Sequence, residues 1–260
     1  MNTTIKNMIS KIAVVAVFIA IWQMIYYMCV DVFNIWKPYA FPSPMGVWKL
    51  FVSMISNNTL LVAVLYTMKR LVAGFVIAAA LGFILGFVIS RYKAAESLLK
   101  PLCLGVQTLP SICWVPFAIL WFGINEKAIV FVTVMGAMFS IAISVDNAIK
   151  SVNASYIKVA KTMGIGEVDL YFKVIFPASR PNLITGLKQG WSFAWRALIS
   201  GEVISASVGL GNVLILGRNL GDINQVVLVM IVIVVLGIII DRLIFRTLEK
   251  KCERDWGNSR

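Results

Sequence analysis

Long apolar runs alternate with short polar, mostly basic stretches along the chain. The first run, IAVVAVFIAIWQMIYYMCV (Ile12–Val30), follows Lys6 and Lys11. It is longer than the apolar core of a secretory leader and no A-x-A cleavage pattern follows, so it predicts a first membrane-spanning helix. KPYAFPSP (Lys37–Pro44), with three prolines, predicts a linker without regular helix. A second apolar region runs from Leu60 to Ser90, interrupted by Lys69 and Arg70. Its clean part, Leu71–Ser90, places Gly82 and Gly86 in the small-xxx-small spacing that lets helices approach closely. The third region, Pro101–Gly123, contains Pro110 and Pro116. Each proline removes a backbone donor, and irregular backbone at membrane depth persists only where protein or a water-filled cavity receives its polar groups. That segment is expected in the interior, away from lipid. A fourth run covers Ala128–Val145, a fifth about Leu183–Ser205 and a sixth Val226–Ile240.

The pattern predicts an all-α integral membrane protein with about six transmembrane helices. Residues 1–58 hold the first helix and an external linker, 59–245 a core of five helices with a loop at about 150–181, and 246–260 a basic tail. Composition agrees: of 260 residues, 60% are hydrophobic and 14% charged, against about 45–50% and 25% in soluble domains. The net charge of +12 would suggest nucleic acid in a soluble protein. Here membrane topology explains it, so lipid and not nucleic acid is the expected contact. Lys6, Lys11, Arg91, Lys93, Lys100, Lys150, Lys158, Lys161, Lys173, Arg180, Arg242, Arg246, Lys250, Lys251, Arg254 and Arg260 fall on one side. Lys37, Lys49, Lys127 and Arg218 fall on the other. The asymmetry places both termini and the 150–181 loop in the cytoplasm. Cys29, Cys103, Cys113 and Cys252 form no CxxC pair and no histidine is present, so neither a disulfide framework nor a metal site is expected.

The loop reads YIKVAKTMGIGEVDLYFKVIFP (Tyr156–Pro177). Ile157, Ala160 and Gly164 share one helical face, and Gly164 suits a left-handed helix end. Val168, Tyr171, Phe172 and Ile175 then recur at i, i+3, i+4 and i+7, with Glu167 and Asp169 in the first turn. The spacing predicts helix, glycine elbow, amphipathic helix and a stop at Pro177. Periodicity alone fits either a lipid surface or a partner's groove.

The stretch resembles the EAA loop of ABC importer permeases, E-A-A, three residues, G, nine residues, I-x-L-P. Lys158 stands at the glutamate, Val159 and Ala160 at the alanines, Gly164 at the glycine, and Val174, Phe176 and Pro177 at the last three positions. The acidic residue is replaced by lysine. FPSPMGVWKL, RLVAGFVIAAALGFILGFVISR, PSICWVPFAILWFGINEKA, FPASRPNLITGLKQGWSFAWRALISGEV and VGLGNVLI are similar to segments of the nitrate, sulfonate, taurine and bicarbonate branch, which also includes permeases for thiamine-precursor pyrimidines. The resemblance implies a type I, MetI-like permease with a cytoplasmic coupling helix. It further implies a second permease copy, expected as a homodimer, two ATPase subunits carrying ATP and Mg, and an extracytoplasmic solute-binding protein. Val168, Tyr171, Phe172 and Ile175 would anchor in the ATPase groove, with Gly164 setting the angle. The chain lacks GxxxxGK[ST] and is expected to be a pore subunit, not an enzyme.

Intramembrane ionisable groups are costly and therefore candidates for function. Arg196 is the main one, with Gln189 and Glu202 in the same segment. They would either meet an anion in the translocation path or pair with neighbouring groups and fix packing. Lys69 and Arg70 read as interface or bracing residues, and Trp114, Trp121, Trp191 and Trp195 either as lining of the path or, the preferred reading, as interfacial anchors. Gly209 and Gly211 suggest a tight turn over the pore mouth. A gradient-driven carrier would show paired interrupted helices in repeated halves; only the third span is visibly broken.

Overall fold

The computed structural model describes residues 2–37, 39–205 and 207–257, and no strand occurs among them. Pro38 of the linker and Arg260 of the tail lie outside the described residues. The helices are α1 (Asn2–Tyr26), α2 (Pro44–Ser56), α3 (Thr59–Arg91), α4 (Lys93–Gln107), α5 (Trp114–Phe122), α6 (Glu126–Lys150), α7 (Ala154–Thr162), α8 (Glu167–Leu170), α9 (Phe176–Ile204), α10 (Leu210–Asn219), α11 (Ile223–Ile240) and α12 (Arg246–Gly257).

Four helical stretches, Ala13–Val32, Thr59–Arg91, Glu126–Lys150 and Ile223–Cys252, are long and apolar enough to cross a membrane. They correspond to the first, second, fourth and sixth expected spans. The fifth corresponds to α9, whose 29 residues give about 44 Å at 1.5 Å per residue, long enough to cross but studded with polar groups. The third is a bent pair: α4 and the stretch Ser111–Phe122 meet at 96°. Pro110 explains the break, because it drives the residue before it out of the helical region. Pro116 falls in the first turn of α5, where its missing N–H is tolerated. On the single chain the segment is interior only in part. Leu102, Leu109, Ile112, Phe117, Leu120 and Trp121 are exposed, because α5 buries only a narrow edge, Val115 and Ala118, against α6 and α9.

The core is the triplet α3–α6–α9. Lipid tails are as apolar as leucine, so helices associate in a membrane through close packing. Small residues supply it here. Gly74, Gly82 and Gly86 of α3 lie against Thr133, Ile141 and Val145 of α6. Gly186 and Gly190 of α9 lie against Ser144 and Ile141, and Gly136 of α6 lies against Ala197. A Cβ on any of these glycines would collide with the facing helix. Among them sits Asp146, fully buried, reached by Lys100 of α4 and by Lys150, both at 2.7 Å; Lys150 also reaches Glu96 at 2.6 Å. This network ties α4 to α6 at the basic end.

A second cluster, built from Val47, Met54, Leu60, Leu210, Val213 and Leu228, joins α2, α10 and α11 to the start of α3. Ser43 caps α2 by accepting from Gly46 N, while Ser43 N donates to Asn224 of α11 at 3.0 Å. The linker expectation thus misses α2, and the turn expected at Gly209 and Gly211 is instead the start of α10. α1 is attached mainly through Trp22, which donates to Pro42 O at 3.0 Å and packs beside α11.

Candidate functional site

Three constellations stand out: a knuckle at the basic end, a cavity at the helix break and a buried ionic clamp at the opposite end. The knuckle begins at Asn153, whose side chain accepts from Ser155 N at 2.9 Å and caps α7. The helix ends in a Schellman motif: Gly164 N donates to Lys161 O and Ile165 N to Ala160 O. This requires the left-handed φ of +77° at Gly164. Arg91 of α3 holds Glu167 at 2.7 Å, and Lys173 pairs with Asp169 at 2.8 Å.

Pro177 does not stop the helix. α8 passes through a wide π turn, Tyr171–Ile175, straight into α9. Phe176 N donates to Tyr171 O, and the reset ladder leaves Pro177 in the first turn of α9, where no N–H is needed. The expected anchors divide. Ile175 is 5% exposed and, with Ala160 and Leu170, roots the knuckle in the core. Ile175 therefore cannot present itself to a partner. Tyr171 is half-buried against Phe87 at 5.3 Å between ring centroids. Val168 and Phe172 are 71% and 68% exposed. Lys158 and Gly164 are exposed and Pro177 half-buried. Sequence reasoning missed the outer face of α7: Tyr156, Val159 and Met163 are exposed and line a groove of about 610 Å³ with Val174 and Pro177. Their i, i+3, i+7 spacing was the available signal.

The α4–α5 break opens on a cavity of about 580 Å³ whose wall includes Gln107, Ser111, Trp114, Trp195 and Arg196. The expectation of irregular backbone beside a cavity is met at Thr108–Pro110. Among the described residues Arg196 is the one charged residue in this wall. Its Nε donates to Ser192 O at 3.2 Å and its guanidinium lies 4.6 Å from the centroid of the Phe193 ring. Gln189 is exposed and, seven residues before Arg196, shares its face of α9, but it lies outside the cavity wall.

Glu202 does not line the path. It is fully buried and sits in a clamp that the sequence could not assemble, because its members are far apart in the chain. Thr67 Oγ1 donates to Glu202, Arg70 Nη1 reaches Glu202 Oε1 at 3.0 Å, and Gly211 N donates to Oε2 at 3.1 Å. Arg70 also donates to Val208 O at 2.6 Å and pairs with Glu126 at 3.0 Å. Leu210 N donates to Thr67 Oγ1. Gly209 and Gly211 are glycine because Glu202 occupies the space of their side chains. The bracing expected of Arg70 is thus what it does.

A family model described as "Binding-protein-dependent transport system inner membrane component" matches residues 78–254. The chain is 30% identical over 244 residues to the putative aliphatic sulfonates transport permease of Bacillus subtilis (strain 168), covering 94% of this chain and 86% of that one. A nitrate import permease of Synechocystis sp. is 25% identical over 239 residues, covering 88% and 84%. Among solved structures, an amino acid ABC transporter superposes with a TM-score of 0.65 at 14% identity, covering 77% of this chain and 98% of that chain. An inward-facing methionine ABC transporter gives 0.60 at 20% identity, covering 72% and 94%. These two share the fold.

Proposed function

Because the chain belongs to the family of binding-protein-dependent transport system inner membrane components, as an ABC transporter permease of the inner membrane, we propose that it forms the pore of an ATP-driven importer for a small anion. An extracytoplasmic solute-binding protein delivers the solute, a second copy of the chain completes the pore, and two copies of a separate ATPase carry ATP and Mg. Both termini and the knuckle face the cytoplasm, on the side that holds most of the lysine and arginine.

The division of the knuckle carries this reading. Ala160, Leu170 and Ile175 anchor it inside the core, while Val168 and Phe172 stand in the open. A segment floating on headgroups has no use for such roots, whereas a helix pushed by a partner requires them. The wide turn joins the knuckle to α9 without a hinge residue, so displacement at Phe172 reaches the cavity wall at Arg196 along one helix. The names of the sulfonate and nitrate relatives and a wall whose sole charge among the described residues is positive support an anion over a thiamine-precursor pyrimidine.

The test is co-purification of the tagged chain from native membranes beside a Val168→Glu/Phe172→Glu variant. An ATPase held by the wild type and lost by the variant supports the reading. A well-expressed wild type that captures no ATPase under cross-linking overturns it in favour of a gradient-driven carrier.

A further inference from the structure

Resting on the permease reading, we infer that the cavity at the α4–α5 break is a transmembrane subsite for an organic monoanion, with Arg196 holding the charged head and the aromatic wall holding an apolar body. Its volume of about 580 Å³ falls in the range of about 300–1,000 Å³ usual for small-molecule sites. No carboxylate lines it among the described residues, so nothing there would attract a cation or neutralise Arg196. The guanidinium donates only through Nε, to Ser192 O, and that bond together with the Phe193 ring fixes the group's direction. Nη1 and Nη2 make no hydrogen bond among the described residues, which leaves the two-pronged edge that binds planar or tetrahedral oxyanions.

The rest of the wall decides between a bare inorganic anion and one with a carbon body. Trp114, Phe139, Phe193, Trp195, Ile199 and Ile233 present apolar surfaces that offer an inorganic oxyanion no favourable contact. An alkyl chain of a few carbons instead gains from the same contact, because each methylene it buries leaves water. Gln107 adds one further feature: its Oε1 is buried with no hydrogen-bond partner, an acceptor that a hydroxyl or amine on the ligand would satisfy. Ser200 is no competitor for the anion, because its hydroxyl already donates to Arg196 O at 3.0 Å.

The test uses the full-length chain in lipid nanodiscs. It is titrated with sodium butanesulfonate, sodium nitrate and tetramethylammonium chloride while tryptophan fluorescence is followed, since Trp114 and Trp195 line the cavity. Butanesulfonate is expected to give a saturable change, nitrate one at least about tenfold weaker, and tetramethylammonium none. Arg196→Gln should weaken butanesulfonate by about tenfold or more, and Arg196→Lys should recover part of it, which a purely structural role would not produce. Equal affinity of wild type and Arg196→Gln overturns the subsite, and nitrate matching butanesulfonate overturns the apolar body. ATPase capture is read separately on the same wild-type preparation. Capture with no anion response removes the subsite and leaves the permease reading standing, and no capture removes that reading itself.

Discussion

Glu202 and Arg196 are charged residues six positions apart on one helix of a membrane protein, and sequence alone treats them alike. Their surroundings are opposite. Glu202 is fully buried and engaged by Thr67, Arg70 and the backbone of α10. Arg196 is exposed on the single chain, with one backbone bond and a cavity in front of it. The cost of a charge at membrane depth says that it needs a purpose. Which face of the helix it occupies, and whether its donors are saturated, says which purpose.

Stability measurements should separate the two. Glu202→Ala leaves Arg70 buried beside an emptied site, and removing one partner of such a pair costs about 3–5 kcal/mol. Thermal unfolding in detergent should show the largest drop of any variant considered, with a Glu202→Leu/Arg70→Met double variant recovering most of it. If Glu202→Ala unfolds no earlier than Arg196→Gln, the contrast collapses. Gly190→Leu tests the packed face of the same helix: with Ile141 filling the space beside Gly190, about 1–3 kcal/mol should be lost, read by the same assay. Gly164→Ala places a side chain at φ +77°, a strain of about 1–2 kcal/mol. Since nothing lies within 4 Å of the added carbon, its effect should appear as weaker ATPase capture more than as lost core stability. Arg196→Gln should stay within about 0.5 kcal/mol of wild type, showing that the cavity charge is not what holds the fold.

The bilayer made much of this fold legible in advance. Apolar runs had to be long, and the stretch between Arg70 and Arg91 marks a span of about 30 Å at helical rise. The loop was legible through Gly164 and a 3.6-residue period. Less visible was anything set by partners distant in the chain. Thr67, Arg70 and Glu202 lie in segments with no local pattern joining them. α2 and α10 are short, largely apolar helices bordered by proline, glycine and polar residues, too short for run length to mark them as spans. Ile175 shared its period with Phe172, but periodicity does not say which edge of an amphipathic face a wide turn will rotate inward. Pro177 looked like a terminus because the reset that accommodates it leaves no mark in the sequence.

That wide turn at Tyr171–Ile175 also fixes the compass bearing of everything after it. One residue corresponds to roughly 100° of helix rotation. If a residue were removed there while the knuckle stayed rooted, Leu187 and Trp191 would swing into the places of Gly186 and Gly190 against Ser144 and Ile141. In the same movement Ala197 would take the place of Arg196. A single residue inside the turn thus indexes a small-side-chain seam and a charged wall to their separate headings, as a key aligns a gear on its shaft.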